Sequence, residues 1–148
     1  MAVAPFGERR FTTAPTIEEI EALAAEAFAT IPQDLRRHVK NVVIRIEDFP
    51  DAETEDEMEL DTPFDLLGLY RGVALPHQGA GDLRHDVDMI FLYRRALLDY
   101  WCESGEDLSD LVRHVLIHEI GHHFGFSDED MEALEELADA EAARRLQA

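Results

Sequence analysis

The sequence is poor in cysteine and contains no long apolar run. Cys102 is the only cysteine among 148 residues, so no internal disulfide can form and a reducing compartment is expected. No apolar segment reaches the roughly 18 residues of a membrane-spanning helix, and residues 1–15 lack the apolar core of a signal peptide. These absences predict a cytoplasmic protein with no membrane partner.

Positive charge is also scarce. The chain has 13 basic and 33 acidic residues, which gives a formal net charge of −20. Because such a chain repels phosphate backbones and anionic headgroups, we expect no nucleic-acid partner and a preference for basic over acidic partners. Residues 51–61 form a dense acidic run that lacks the glycine and the alternating spacing of a calcium loop. A solvated loop is predicted there.

Length and composition are otherwise those of a small globular protein. Apolar residues make up 46% and charged residues 31% of the chain, a balance typical of folded domains. We predict a single domain over residues 1–148, with residues 1–15 as a flexible N-terminal arm. The expected state is a monomer or a weak oligomer.

Hydrophobic spacing predicts an α+β fold. Thr16 and Glu19 form a capping-box pattern ahead of an apolar segment of helical period, which marks the start of the first helix. The predicted helices are 17–31, 33–40, 94–102, 106–124 and 129–146. The predicted strands are 42–46, 66–75 and 88–93, with a loop at 76–86. We expect a small mixed sheet of about three to four strands packed on helix 106–124, with the other helices flanking it.

The strongest predicted helix contains the pattern HExxH. His118 and His122 stand four residues apart, so both imidazoles lie on one face of the helix and can reach a single cation. Glu119 lies one residue further round, where its carboxylate can take a proton from a bound water without being a ligand. HExxH alone arises by chance in about 4 of 100 chains of this composition.

A third ligand is expected beyond the end of this helix. Gly125 can adopt the left-handed conformation that terminates helices, which allows the chain to turn back and bring the Asp128 carboxylate to the same cation. Two imidazoles, one carboxylate and one water suit a single catalytic Zn²⁺ ion. The full pattern HExxHxxGxxD has a chance frequency of about 2 in 10,000, so we interpret it as a metal site.

These residues resemble a known family. The resemblance rests on HEIGHHFGFSD, on GLYRGVAL and IFLYRRALL before it, and on DEDMEAL after it. All four resemble, in the same order, segments of the small single-domain bacterial zincin-like metallopeptidases with a HExxHxxGxxD signature. The resemblance covers residues 16–137 and implies a minimal zincin-like fold. It also implies His118, His122 and Asp128 as zinc ligands and Glu119 as general base.

The resemblance also implies how substrate is held. In zincin folds the edge strand of the sheet above the metal helix binds an extended substrate by backbone pairing. By resemblance, strand 88–93 is expected to be that edge strand. Peptide or protein substrates would then add to this edge, with Glu119 delivering water to the scissile carbonyl.

Four other histidines are weaker candidates. His114 lies one turn before His118 and is either a group that supports a ligand or an ordinary surface histidine. His123 points about 100° away from His122, which favours packing or a supporting role. His77 and His85 flank a glycine-rich segment that can border the cleft.

The sequence leaves the roles of two tyrosines and the choice between functions open. Tyr93 and Tyr100 can steady an oxyanion, as tyrosines do in some zincins, or simply pack. The leading function is a zinc-dependent metallopeptidase, and the alternative is a non-catalytic zinc-binding interaction module. The presence of Glu119 favours the enzyme, because a structural zinc site needs no base and is usually closed by four protein ligands. A hydrolase acting on RNA is disfavoured by the net charge.

Overall fold

A computed structural model describes residues 11–37, 39, 41–74 and 86–147 of the chain. His77, His85 and most of the predicted loop 76–86 lie outside these residues. The helices are α1 (Ile17–Thr30), α2 (Gln33–Arg36), α3 (Ala52–Glu57), α4 (Arg94–Ser104), α5 (Leu108–His123) and α6 (Asp128–Leu146). The strands are β1 (Val43–Glu47), β2 (Gly68–Ala74) and β3 (Asp86–Tyr93), and a short 3-10 helix (Pro63–Asp65) precedes β2. In the described part of the chain, no helix combines the length and apolar character that a membrane crossing requires.

The described sheet has the strand order β1-β3-β2. β3 pairs in parallel with β1, where Ile44 faces Ile90, and antiparallel with β2, where Tyr70 faces Ile90. The small mixed sheet of the α+β prediction is therefore confirmed. The expectation that strand 88–93 is an edge strand is wrong, because β3 is flanked on both sides. Side-chain alternation reports which faces of a strand are covered but says nothing about its two backbone edges.

The core lies between the sheet and the three longest helices. α5 contacts α1, α6 and β2, and α1 contacts β1. Burial is complete for Ile20 of α1, Ile90 and Leu92 of β3, and Leu116 and Ile120 of α5. The apolar stripe of α5, whose helical spacing underlies the prediction of helix 106–124, is thus the surface on which the domain is assembled.

The predicted helical starts and stops are largely confirmed. Thr16 and Glu19 form the capping box at the start of α1, with the Glu19 N–H donating to Thr16 Oγ1 at 3.1 Å. The acidic run is different, because residues 52–57 form α3 instead of a loop. The Asp51 side chain caps this helix by accepting from the Thr54 N–H at 2.8 Å, and Thr54 is buried. The Asp51 cap and the burial of Thr54 stabilise this helix by more than the repulsion among its exposed carboxylates destabilises it.

The end of the predicted N-terminal arm packs against the domain. Phe11 makes an edge-to-face contact with Trp101, with ring centroids 5.9 Å apart. Pro15 is buried, and its carbonyl oxygen accepts a hydrogen bond from Arg94 Nε at 2.6 Å. Residues 11–15 are therefore part of the packed structure, and residues 1–10 lie outside the described residues.

Gly68 lets β2 lie close to α5. A Cβ atom at this position would stand 2.8 Å from Val115 Cγ1 and 3.0 Å from the Phe91 carbonyl oxygen, both closer than normal contacts. We expect Gly68→Ala to lower the free energy of unfolding by about 1–3 kcal/mol through overpacking, measured by urea denaturation. Gly72→Ala is the control, because its Cβ would meet only Asp88 Oδ1 at 3.5 Å. Equal stability of the two variants would contradict the close approach of strand and helix.

Candidate active site

The motif residues occupy the last turns of α5. The Asp107 side chain caps the start of this helix, accepting from the Asp110 N–H at 3.1 Å. The helix ends at His123, and Gly125 adopts the left-handed conformation with φ of 76°. The Phe126 N–H then donates to the Gly121 carbonyl oxygen at 2.8 Å, closing the terminus. The predicted stop at Gly125 is confirmed.

The turn returns the chain onto α5 as helix α6. Ser127 caps α6, so Asp128 is its first residue and lies exposed at the N-terminal end. Gly121 allows this packing, since a Cβ there would lie 2.5 Å from Met131 Sδ. The glycine inside the HExxH segment therefore sets how closely the element carrying Asp128 approaches the motif helix.

His118 interacts electrostatically with four titratable side chains around it. Its side chain is 31% exposed, and its ring centroid lies 5.8 Å from that of His122. Burial lowers the pKa of His118, with His114 and His122 acting in the same direction and Glu135 and Asp128 opposing it. A lowered pKa keeps the imidazole neutral, which is the form that binds metal.

Glu119 sits at the junction of α5 and β2. Its Oε2 accepts a hydrogen bond from the Tyr70 backbone N–H at 3.3 Å. Burial raises the pKa of the Glu119 carboxyl, against the opposing effects of the Tyr70 N–H and His122. A carboxylate with a raised pKa holds an abstracted proton more firmly, which suits a general base.

Tyr70 connects the strand to the end of the motif helix in a second way. Its ring stacks on His123 with centroids 3.9 Å apart and planes inclined by 22°, and it meets Phe124 edge-on at 5.9 Å. Burial, followed by the nearby Asp88 side chain, raises the pKa of the Tyr70 hydroxyl, so it stays protonated. His123 thus packs on Tyr70, which is one of the two roles left open for it by the sequence, and the sequence pattern gave no sign of Tyr70.

Glu135 of α6 is a further residue that the sequence pattern missed. Its Oε1 contacts Nδ1 of His114 and lies 3.3 Å from Nε2 of His118. Among the described residues, His114, His118 and Glu135 form the one group of three possible metal ligands whose donor atoms all lie within 4.8 Å of one another. The predicted ligands His118, His122 and Asp128 are neighbours around the α5–α6 turn, but their donor atoms do not all lie within 4.8 Å of one another. In the sequence, the four-residue spacing of His114 and His118 was the one indication of this group.

The two tyrosine candidates differ in burial. Tyr93 is 2% exposed, and burial raises its pKa to about 12, with smaller contributions from Glu47 and Asp51. Tyr100 is 41% exposed and borders a separate cavity of about 490 Å³ beside Asp65, whose lining includes no motif residue. The burial of Tyr93 therefore supports the packing interpretation, whereas Tyr100 is exposed and borders a cavity without motif residues.

A small α+β domain with a HExxH helix under a mixed sheet defines the zincin class of metal-dependent hydrolases. The family model described as zincin-like metallopeptidase matches residues 39–137 of this chain. Because this match spans the described sheet, the motif helix and the start of α6, the chain belongs to the zincin-like metallopeptidase family. No curated protein matches the chain. The family implies a zinc cofactor, and the cluster of imidazoles and carboxylates at the α5–α6 turn has the donor types that zinc prefers.

Proposed function

We propose that this chain is a zinc-dependent peptidase in which Glu119 is the general base. The observation that carries the proposal is the half-buried Glu119 carboxylate, which lies beside the motif histidines and is oriented by the Tyr70 N–H at 3.3 Å. His118, His122 and Asp128 would hold one zinc ion. When bound, zinc supplies a Lewis acid that activates water and polarises a carbonyl group.

The protein's own residues position the general base and transfer the proton. Glu119 takes a proton from water and, with a pKa raised by burial, retains it until the leaving amine requires it. The Tyr70 N–H restrains one carboxylate oxygen, which leaves the other oxygen to take the proton from water. A structural zinc module has no use for such a base, and this favours the enzyme over the interaction module.

The outer edge of β2 is the proposed binding surface for the substrate backbone. The Tyr70 N–H donates to Glu119 and not to β3, so it points away from the paired side of the strand. An extended peptide pairing with this edge would pass directly beside the base. We therefore assign to β2 the substrate-binding edge that the family resemblance implied for strand 88–93.

The charge distribution supports basic substrates. A cleft of about 370 Å³ lies beside the part of α5 that precedes His118, and its lining contains five acidic side chains: Glu106, Asp107, Asp110, Glu135 and Asp139. Arg113 is the basic residue in its lining and is paired with Asp110 at 2.6 Å and with Asp139 at 2.8 Å. The remaining negative potential would attract cationic peptides.

Hydrolysis of a mixed peptide library tests the proposal. We expect cationic peptides to be cleaved with higher kcat/KM than anionic peptides of matched length, and this preference to shrink as ionic strength rises. Chelation should abolish cleavage and added zinc should restore it. A zinc-loaded protein that cleaves no peptide would favour the interaction module, and equal cleavage of both charge classes would remove the electrostatic preference.

A further inference from the structure

A second cluster of metal-binding groups lies one turn away from the HExxH pair. His114 and His118 are four residues apart on α5, and their ring centroids are 4.2 Å apart, closer than those of His118 and His122. Glu135 reaches them from α6, with Oε1 between Nδ1 of His114 and Nε2 of His118. Three donor atoms from two helices thus lie within 4.8 Å of one another.

We propose that His114, His118 and Glu135 form a second transition-metal site. Ligand atoms about 2.0–2.1 Å from a tetrahedral zinc ion lie roughly 3.3 Å from one another, and the His118 Nε2 to Glu135 Oε1 distance is 3.3 Å. Two imidazoles and one carboxylate favour zinc, cobalt or nickel over magnesium or calcium, which prefer oxygen ligands alone.

The surroundings of Glu135 fit a bound cation better than a simple hydrogen bond. Oε1 of this residue is buried, and no hydrogen-bond donor is aligned with it, a costly state for a carboxylate oxygen. Two imidazole nitrogens nevertheless face it. A cation held between the three groups would satisfy all of them. His114 and Glu135 both line the cleft beside α5, so an ion and a completing water can enter from solvent.

The two metal sites cannot be filled independently, because His118 belongs to both. The competition between the two sites rests on the proposed function, whereas the second site rests only on the cluster itself. Since one imidazole nitrogen donates one lone pair to one metal, an ion bound through Nε2 of His118 and Glu135 withdraws that nitrogen from His122 and Asp128. We expect one ion per wild-type chain, distributed between the two sites.

Metal binding in a variant without the HExxH site tests this inference. The double variant His122→Ala/Asp128→Asn removes the ligands that are not shared, and Co²⁺ titration followed by visible absorption serves as the probe. We expect one Co²⁺ per chain to remain. Adding Glu135→Gln should weaken that binding by about tenfold or more, and adding Glu136→Gln, at the exposed neighbouring position, should leave it unchanged.

The controls keep each outcome informative. Far-UV circular dichroism establishes that the variants are folded, and His114→Ala, at a side chain that is 53% exposed, replaces Glu135→Gln if that variant unfolds. A folded double variant that binds no Co²⁺ overturns the second site, as does equal loss with Glu135→Gln and Glu136→Gln. Peptide hydrolysis is not measured in this experiment, so an inactive wild type would refute the peptidase proposal and leave this result standing.

Discussion

Glu119→Gln is expected to abolish peptide hydrolysis while zinc stays bound. Glutamine keeps the size of the side chain, and its carbonyl oxygen can still accept the Tyr70 N–H that Glu119 Oε2 accepts at 3.3 Å. What is lost is the group that takes a proton from water, so kcat/KM should fall by about 10²–10⁴-fold. Zinc content, measured by atomic emission, should equal that of the wild type because Glu119 is not a proposed ligand.

Glu132→Gln is the matched control for this variant. Glu132 lies exposed on α6, so the same removal of one negative charge should leave both hydrolysis and zinc content unchanged. Wild-type activity in Glu119→Gln would refute the proposed mechanism. A joint loss of zinc and activity would instead assign Glu119 to the metal ligands.

His118→Ala is expected to cause the largest loss of metal of any single substitution. His118 belongs to the HExxH set and also faces Glu135 at 3.3 Å, so its removal disables both proposed sites. Zinc stoichiometry after dialysis should fall from about one ion per chain to nearly none, since three protein ligands are needed beside the open position. Hydrolysis should disappear with it.

His123→Ala provides the comparison within the same helix. His123 stacks on Tyr70 at 3.9 Å and has no proposed metal role, so this variant should retain zinc and lose only some stability. If His118→Ala retained a full equivalent of zinc, the histidine assignments of both sites would fail together. If His123→Ala lost zinc, the ligand set would have to include it.

The elements that the sequence predicted well are those determined by local chemistry. The capping box of Thr16 and Glu19, the apolar stripe of α5 and the left-handed Gly125 each depend on residues within one or two turns of one another. Such signals can be read directly along the chain. The assignment of Asp128 as the third ligand stays a prediction, because it depends on the positions that the side chains of the α5–α6 turn take around a bound ion.

The features that escaped prediction depend on distant partners. The central position of β3 is decided by pairing with β1 and β2, and its alternating pattern is equally compatible with an edge. Glu135 gains its position from α6 packing on α5, through contacts such as Met131 against Gly121. α3 forms in the acidic run because Asp51 caps it and Thr54 is buried, and this burial cannot be read from the local sequence.

The hydrogen bond between Tyr70 and Glu119 has a consequence for how this domain can diversify. The donor is a main-chain N–H, so every amino acid except proline at position 70 can provide it. The orientation of the base is thereby independent of side-chain identity along β2. Substitutions on that strand can alter which peptides are recognised while the chemistry beside them is preserved.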